Sequence, residues 1–209
     1  GPSYTLSLTG SAVPPGVHFS FHKYDFGPCF VYRSGMEPNT ALLRITNTDQ
    51  SKPLSIDCLT PPLQHLAHNF EAKLIEPEKS MYVMITFLPR EARRYHETLE
   101  FEVNGMSRHS VEVFGQGSEL RIEVQQPRHR VLKLGVLRAN ERVLKSVPII
   151  NKSLAPVTFS LVFSPNQSQL ENCIQLSPSK QISLPAKNGQ ATVEVAFTPT
   201  DRLTQFSEE

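Results

Sequence analysis

Apolar and polar residues alternate strictly in short segments along the whole chain. In LEFEV (99–103), Leu99, Phe101 and Val103 fall on one side of an extended chain and the glutamates on the other. This period of two is typical of a half-buried antiparallel strand. Residues 192–197, TVEVAF, show the same pattern. Turn-forming Asn, Gly, Pro and Ser separate such runs at the roughly 8–12-residue spacing of sandwiches and barrels. We therefore predict an all-β protein without a long helix.

The chain also repeats itself, which predicts two domains of one kind. Three landmarks occur twice in the same order: YDFG (24–27) and LKLG (132–135), RITNTDQSKPLSI (44–56) and PIINKSLAPVTF (148–159), ITFLP (85–89) and VAFTP (195–199). A chain of 209 residues is long enough for two domains with cores of their own. We predict two tandem antiparallel β-sandwiches, at 16–118 and 119–209.

The repeated residues suit structural roles. A phenylalanine at a strand end anchors the core, and an asparagine after a strand hydrogen-bonds the turn that follows. Glycine allows a bend or a close approach, and proline ends a strand because it lacks an N–H group. The residues predicted to build the scaffold in this way are Phe26, Gly27, Asn47, Pro53, Phe87, Pro89 and Gly115 in the first repeat, and Gly135, Asn151, Pro156, Phe197 and Pro199 in the second.

The two ends are expected to be out of frame with the repeat. Within 1–15, Gly1 and Pro2 resemble a protease scar, and residues 4–10 resemble the last strand of an upstream repeat because HSVEVFGQGS (109–118) ends the first repeat in a similar way. After Pro199 the second repeat has few residues left, so we expect that sandwich to be truncated at its C-terminus. An open sheet edge attracts strands, which predicts strand exchange between copies, in cis or in trans.

Composition argues against several partners. Lys plus Arg number 21 and Asp plus Glu number 20, so charge gives no reason to expect nucleic acid. No apolar run of 18 residues occurs, so we expect no membrane insertion. Three cysteines, Cys29, Cys58 and Cys173, form no framework of pairs, which favours a reducing compartment such as the cytoplasm.

The combination of YDFG, RITNTDQSKPLSI and ITFLP, followed by a GQG strand, resembles the ASH domain family, relatives of major sperm protein. The resemblance implies an immunoglobulin-like β-sandwich in a protein of the cytoskeleton, found in cilia and centrosomes. It further implies a structural unit in a long tandem array that scaffolds the central-pair apparatus of the motile-cilium axoneme and supports ciliary beating. The expected partners are other axonemal proteins and neighbouring repeats.

An enzyme is the least favoured interpretation. The chain lacks GxSxG, GxGxxG and P-loop motifs. His18 and His22 would lie about 13 Å apart on a strand, too far for one metal ion, and no Cys or carboxylate joins the pair 65/68 at ligand spacing. We therefore predict no catalytic residue, no metal and no cofactor.

The alternative function is recognition of acidic peptide motifs through a basic face, by analogy with major sperm protein relatives. Either Arg90, Arg93 and Arg94 or Arg108 and His109 would supply that face. Convergence of these cations on one sheet face would favour this alternative, whereas their spread around loops would not.

Overall fold

In the computed structural model, the alternating segments form antiparallel strands in two units, Gly1–Gly117 and Ser118–Glu209. The structure describes residues 14–162 and 171–200, together with residues 3, 5, 7 and 9. The strand predicted at residues 4–10 lies outside the continuous described ranges, as do residues 201–209. In the part of the chain that the structure describes, no helix is long and apolar enough to cross a membrane.

The first unit is a sandwich of two sheets. One has four strands in the order β1-β3-β7-β5, and the other has five in the order β2-β9-β8-β4-β6. The strands are β1 (Val17–Phe19), β2 (Lys23–Phe30), β3 (Asn39–Asn47), β4 (Leu54–Cys58), β5 (Leu66–His68), β6 (Lys73–Ile75), β7 (Ser80–Phe87), β8 (Arg94–Val103) and β9 (Ser107–Ser118).

Inward-facing apolar residues of both sheets form one core between them. Phe87 is buried in this core: its ring stacks on Phe26 at 5.2 Å between centroids and meets Tyr95 edge-on at 5.3 Å. Gly115 makes room for that ring, because a Cβ there would lie 2.5 Å from the Phe87 ring. The fully buried members of the core include Leu43, Ile45, Ile85, Leu99, Phe101, Val103 and Val111.

The second unit repeats part of this arrangement, and its described strands include no counterparts of β2, β8 and β9. Its strands are β10 (Ile122–Val124), β11 (Val143–Asn151), β12 (Val157–Phe159), β13 (Ile174–Ser177), β14 (Ile182–Leu184) and β15 (Gly189–Phe197), with short 3-10 helices at Pro127–Arg130 and Glu171–Cys173. The sheet order β10-β11-β15-β13 corresponds to β1-β3-β7-β5, and the pair β12-β14 corresponds to β4-β6. The predicted all-β fold of antiparallel, immunoglobulin-like sandwich domains is confirmed.

Strand register places the repeated landmarks at equivalent positions. Asn47 lies opposite Val17, and Asn151 lies opposite Ile122. In the same way, the strand-end phenylalanines lie opposite the first residues of their neighbouring edge strands: Phe87 faces Leu66, and Phe197 faces Ile174.

The landmark prolines also lie at equivalent places. Pro53 and Pro156 immediately precede β4 and β12. Pro89 and Pro199 are buried two residues beyond β7 and β15, and the carbonyl of each accepts a backbone N–H bond of 2.7 Å. The landmark glycines Gly27 and Gly135 have φ angles of +67° and +81°, the left-handed region that favours glycine.

A buried asparagine joins the two sheets of the first unit. Asn47 ends β3 and is fully buried. Its Nδ2 donates to the carbonyl of Lys52 at 2.8 Å, in the following loop, and to the carbonyl of Ile75 at 2.9 Å, in β6 of the other sheet. Its Oδ1 accepts the N–H of Asp49 at 2.9 Å. One side chain therefore shapes the turn after β3 and ties it to the opposite sheet.

Asn151 makes the corresponding bonds in the second unit. It is also fully buried, and its Nδ2 donates to the carbonyls of Ala155 and Pro185, both at 3.0 Å. Its Oδ1 accepts the N–H of Ser153 at 2.9 Å. Pro185 follows β14, the counterpart of β6, so the link between sheets is made by the same atoms in both units.

We expect Asn47→Ala to lower the free energy of unfolding by about 3 kcal/mol, because it leaves two carbonyls and one N–H group without their buried partner. The measurement is chemical denaturation of the chain. Thr98→Ala, on the outward side of β8, is the matched control and should change the value by less than about 0.5 kcal/mol. Equal small losses in both variants would contradict the role assigned to the asparagine.

Candidate interaction surfaces

A buried tyrosine fixes the loop that carries two of the predicted cations and leads to a third, Arg94, at the start of β8. The Oη of Tyr95 accepts the N–H groups of Arg90 at 3.0 Å and Glu91 at 2.9 Å, and its hydroxyl donates to the carbonyl of Glu91 at 3.3 Å. These bonds satisfy backbone groups that would otherwise lie unpaired beside the core. The loop between β7 and β8 therefore has a defined shape.

Two arginines of this loop interact mainly within the domain. The guanidinium of Arg93 lies 4.1 Å above the ring of Tyr95, and its Nε is 3.1 Å from an oxygen of Glu91. The guanidinium of Arg90 lies 5.8 Å above the ring of Tyr32. Arg94 is exposed at the start of β8. The loop thus offers less positive charge to a partner than its sequence suggests.

The other two predicted cations lie at the far end of the same hairpin. Arg94 pairs with Gln116 in the β8–β9 register, whereas Arg108 pairs with Glu102. Arg94 and Glu102 are eight positions apart along β8, which corresponds to about 27 Å. The structure brings Arg90, Arg93 and Arg94 together and places Arg108 and His109 apart from them, so the five cations do not converge on one face.

His109 is partly buried and packs as an aromatic residue. Its ring stacks on Phe19 at 5.3 Å between centroids, and His22 packs on the same phenylalanine at 5.5 Å. Burial lowers the pKa of His109, and the charge of His22 lowers it further. Arg108 is exposed, and its Nε lies 3.8 Å from an oxygen of Glu102.

A cluster that the sequence reasoning missed lies on the outward face of the five-stranded sheet. The ring of Phe114 stacks on His96 at 4.2 Å between centroids. The Nζ of Lys23 lies 4.5 Å from the centroid of the Phe114 ring. His96 Nε2 is also 3.1 Å from an oxygen of Glu112. A shallow groove beside this cluster is lined by Asp25, Gly27, Pro28, Arg94 and Gln116. The sequence contains one signal for this cluster: Phe114 is an aromatic residue at a position where the alternation of β9 predicts a polar side chain.

A cysteine and a histidine meet at the end of β4, but their bonding does not suit catalysis. Cys58 Sγ lies 3.7 Å from His68 Nε2. That nitrogen lies 2.9 Å from the carbonyl of Thr60, so it carries the proton and donates it, and cannot take one from the thiol. Burial raises the pKa of the Cys58 thiol, which keeps it protonated. Among the described residues, no group of three His, Cys, Asp or Glu side chains is arranged to hold a metal ion.

The family model for HYDIN/CFA65/VesB-like Ig-like domains matches residues 15–117, which contain all nine strands of the first sandwich except the last residue of β9. Over these residues, the first sandwich belongs to the HYDIN/CFA65/VesB-like family of Ig-like domains. The predicted family resemblance is thereby confirmed, and the cations and the Phe114 cluster described above lie within this HYDIN-like domain.

Two curated relatives extend the similarity over the whole chain. It is 39% identical over 211 aligned residues to the hydrocephalus-inducing protein of Mus musculus and to the hydrocephalus-inducing protein homolog of Homo sapiens. The match covers 100% of this chain and 4% of each relative. Among solved structures, the ASH/PapD-like domain 7 of human CEP192 is 17% identical, with a TM-score of 0.41 over 56% of this chain and 100% of that one.

We expect Tyr95→Phe to lower the free energy of unfolding by about 1–3 kcal/mol, because the N–H groups of Arg90 and Glu91 lose their common acceptor. Tyr32→Phe is the matched control, since it keeps the ring beneath Arg90 and its hydroxyl forms no bond within the described structure. Chemical denaturation measures both. An equal effect of the two substitutions would show that the Tyr95 hydroxyl does not hold the loop.

We also expect part of the stability to depend on pH through His109. Its pKa is lower in the folded chain, so the unfolded chain binds the proton more readily and stability falls as pH drops through about 6.5. Denaturation at pH 7.5 and pH 5 should show a smaller loss for His109→Gln than for the wild type. The same loss in both proteins would contradict this assignment.

Proposed function

We propose that the chain is a non-catalytic structural and interaction module of a long tandem array that scaffolds the central-pair apparatus of motile cilia and supports ciliary beating. The observation that carries the proposal is the 39% identity over the whole chain with hydrocephalus-inducing protein, of which the chain spans 4%. A segment that covers so little of its relatives while containing two units of one architecture fits a repeated building block.

The residues of the two units support a structural role over a catalytic one. The repeated positions, such as Asn47 and Asn151, hold strands and turns together. The one close cysteine–histidine pair in the described structure, Cys58 and His68, has its histidine nitrogen committed to a carbonyl. Partners of the module would then be other axonemal proteins and neighbouring repeats, in the cytoplasmic and cytoskeletal space of the cilium.

Recognition of acidic motifs through a basic face has less support. The cations named for it do not form one face, because Arg90, Arg93 and Arg94 lie about 27 Å along β8 from Arg108 and His109. Of the loop arginines, Arg93 is already paired with Glu91. This leaves the array role as the better-supported function.

Immunogold electron microscopy of motile cilia tests the proposal, with an antibody raised against this chain. The expected result is label along the axoneme at the central pair. Label on the outer doublets alone, or label in the cell body but not in the cilia, would overturn the proposed location at the central pair. The control for specificity uses antibody that has first been blocked with the purified chain, and axonemes treated with it should show no label.

A further inference from the structure

Four side chains form a contiguous patch at the centre of the four-stranded sheet of the first unit, on its outward face. Leu42 lies opposite Met84, and Arg44 lies opposite Tyr82, on the two central strands β3 and β7. Leu42 and Tyr82 are each 57% exposed and Met84 is 43% exposed. We call these four residues the β3–β7 patch. Tyrosine, methionine and arginine are the residues enriched where proteins bind one another.

The fold itself does not require these side chains, because the second unit builds the same sheet without them. Equivalent positions are found by aligning the two units on their landmarks. Phe87 of β7 is aligned with Phe197 of β15, and Asn47 of β3 is aligned with Asn151 of β11. The counterparts of Leu42, Arg44, Tyr82 and Met84 are Ser146, Pro148, Thr192 and Glu194. Inward positions such as Phe87 and Phe197 are thus apolar in both units, whereas the four patch positions carry Leu, Tyr and Met in the first unit only.

The charge around the patch indicates what would bind it. The other outward residues of this sheet are His18, Thr40, Thr46, Ala67, Ser80 and Thr86. None of them is a carboxylate, and within the described structure the Arg44 guanidinium forms no hydrogen bond or ion pair. A partner that covered the patch without a carboxylate would bury this cation unpaired, which is costly.

We infer that the β3–β7 patch docks a segment of a partner protein in which apolar side chains flank one carboxylate. The carboxylate pairs with Arg44, while the apolar side chains cover Leu42, Tyr82 and Met84. A second copy docked through the same patch is disfavoured, because a two-fold contact would bring two Arg44 side chains together without a counter-charge. The inference rests on the proposed function as an interaction module and assigns that function a surface.

Selection of random peptides displayed on phage tests the inference, with the purified 209-residue chain as bait. We expect enriched peptides to carry apolar residues around an Asp or Glu. Their affinity should fall about ten-fold or more for the double variant Tyr82→Thr with Met84→Glu, which installs the residues of the second unit. A selection repeated on Arg44→Glu should enrich Lys or Arg in place of the acidic residue.

Leu74→Ser is the matched control, because Leu74 is 59% exposed on β6 of the opposite sheet. It should leave peptide affinity unchanged, and all variants should keep the circular dichroism spectrum and unfolding midpoint of the wild type. Peptides that bind the patch variants as well as the wild type, or that show no charge preference, would overturn the inference. So would self-association of the wild type that the patch substitutions abolish. None of these outcomes bears on where the antibody labels cilia, so the two proposals fail separately.

Discussion

The turn after β3 in the first unit, like the turn after β11 in the second, depends on one buried side-chain amide. Asn47 and Asn151 each accept an N–H bond from the residue two positions on and donate to carbonyls on both sides of the sandwich. Hydrophobic burial alone would hold two sheets together without fixing their alignment, since it is not directional. The amide adds direction, because its hydrogen bonds form only when the turn and the opposite sheet are in place. Its complete burial makes each bond costly to lose.

Given that alignment, the inward and outward faces of each strand serve different purposes. Inward positions such as Phe87 and Phe197 pack the core and recur in both units. Outward positions are free to vary, so the first unit presents Leu42 and Tyr82 where the second presents Ser146 and Thr192. An array built from such units can keep one scaffold and give each copy its own binding surface. That division is consistent with a structural protein whose repeats contact different neighbours.

Much of the scaffold follows from the sequence because its signals are local. Alternation in β8 and β15 predicts strands, and the repeated asparagine predicts a turn bonded by its own side chain. The candidate binding face was harder to predict. The Asn104–Gly105 turn sets the β8–β9 register, so the wide separation of Arg94 from Arg108 was readable from the hairpin. The contact of Lys23 with Phe114 was not readable, because it depends on β2 pairing with a strand about 90 residues away.

Hydrogen exchange of the asparagine side chains, followed by NMR, tests the central claim most directly. If the buried amides hold the turns, the NH2 protons of Asn47 and Asn151 exchange with solvent far more slowly than those of Asn140, which is exposed. Their exchange should accelerate only under conditions that unfold the unit. Side-chain amide protons of Asn47 and Asn151 that exchange as fast as those of Asn140 would contradict the account.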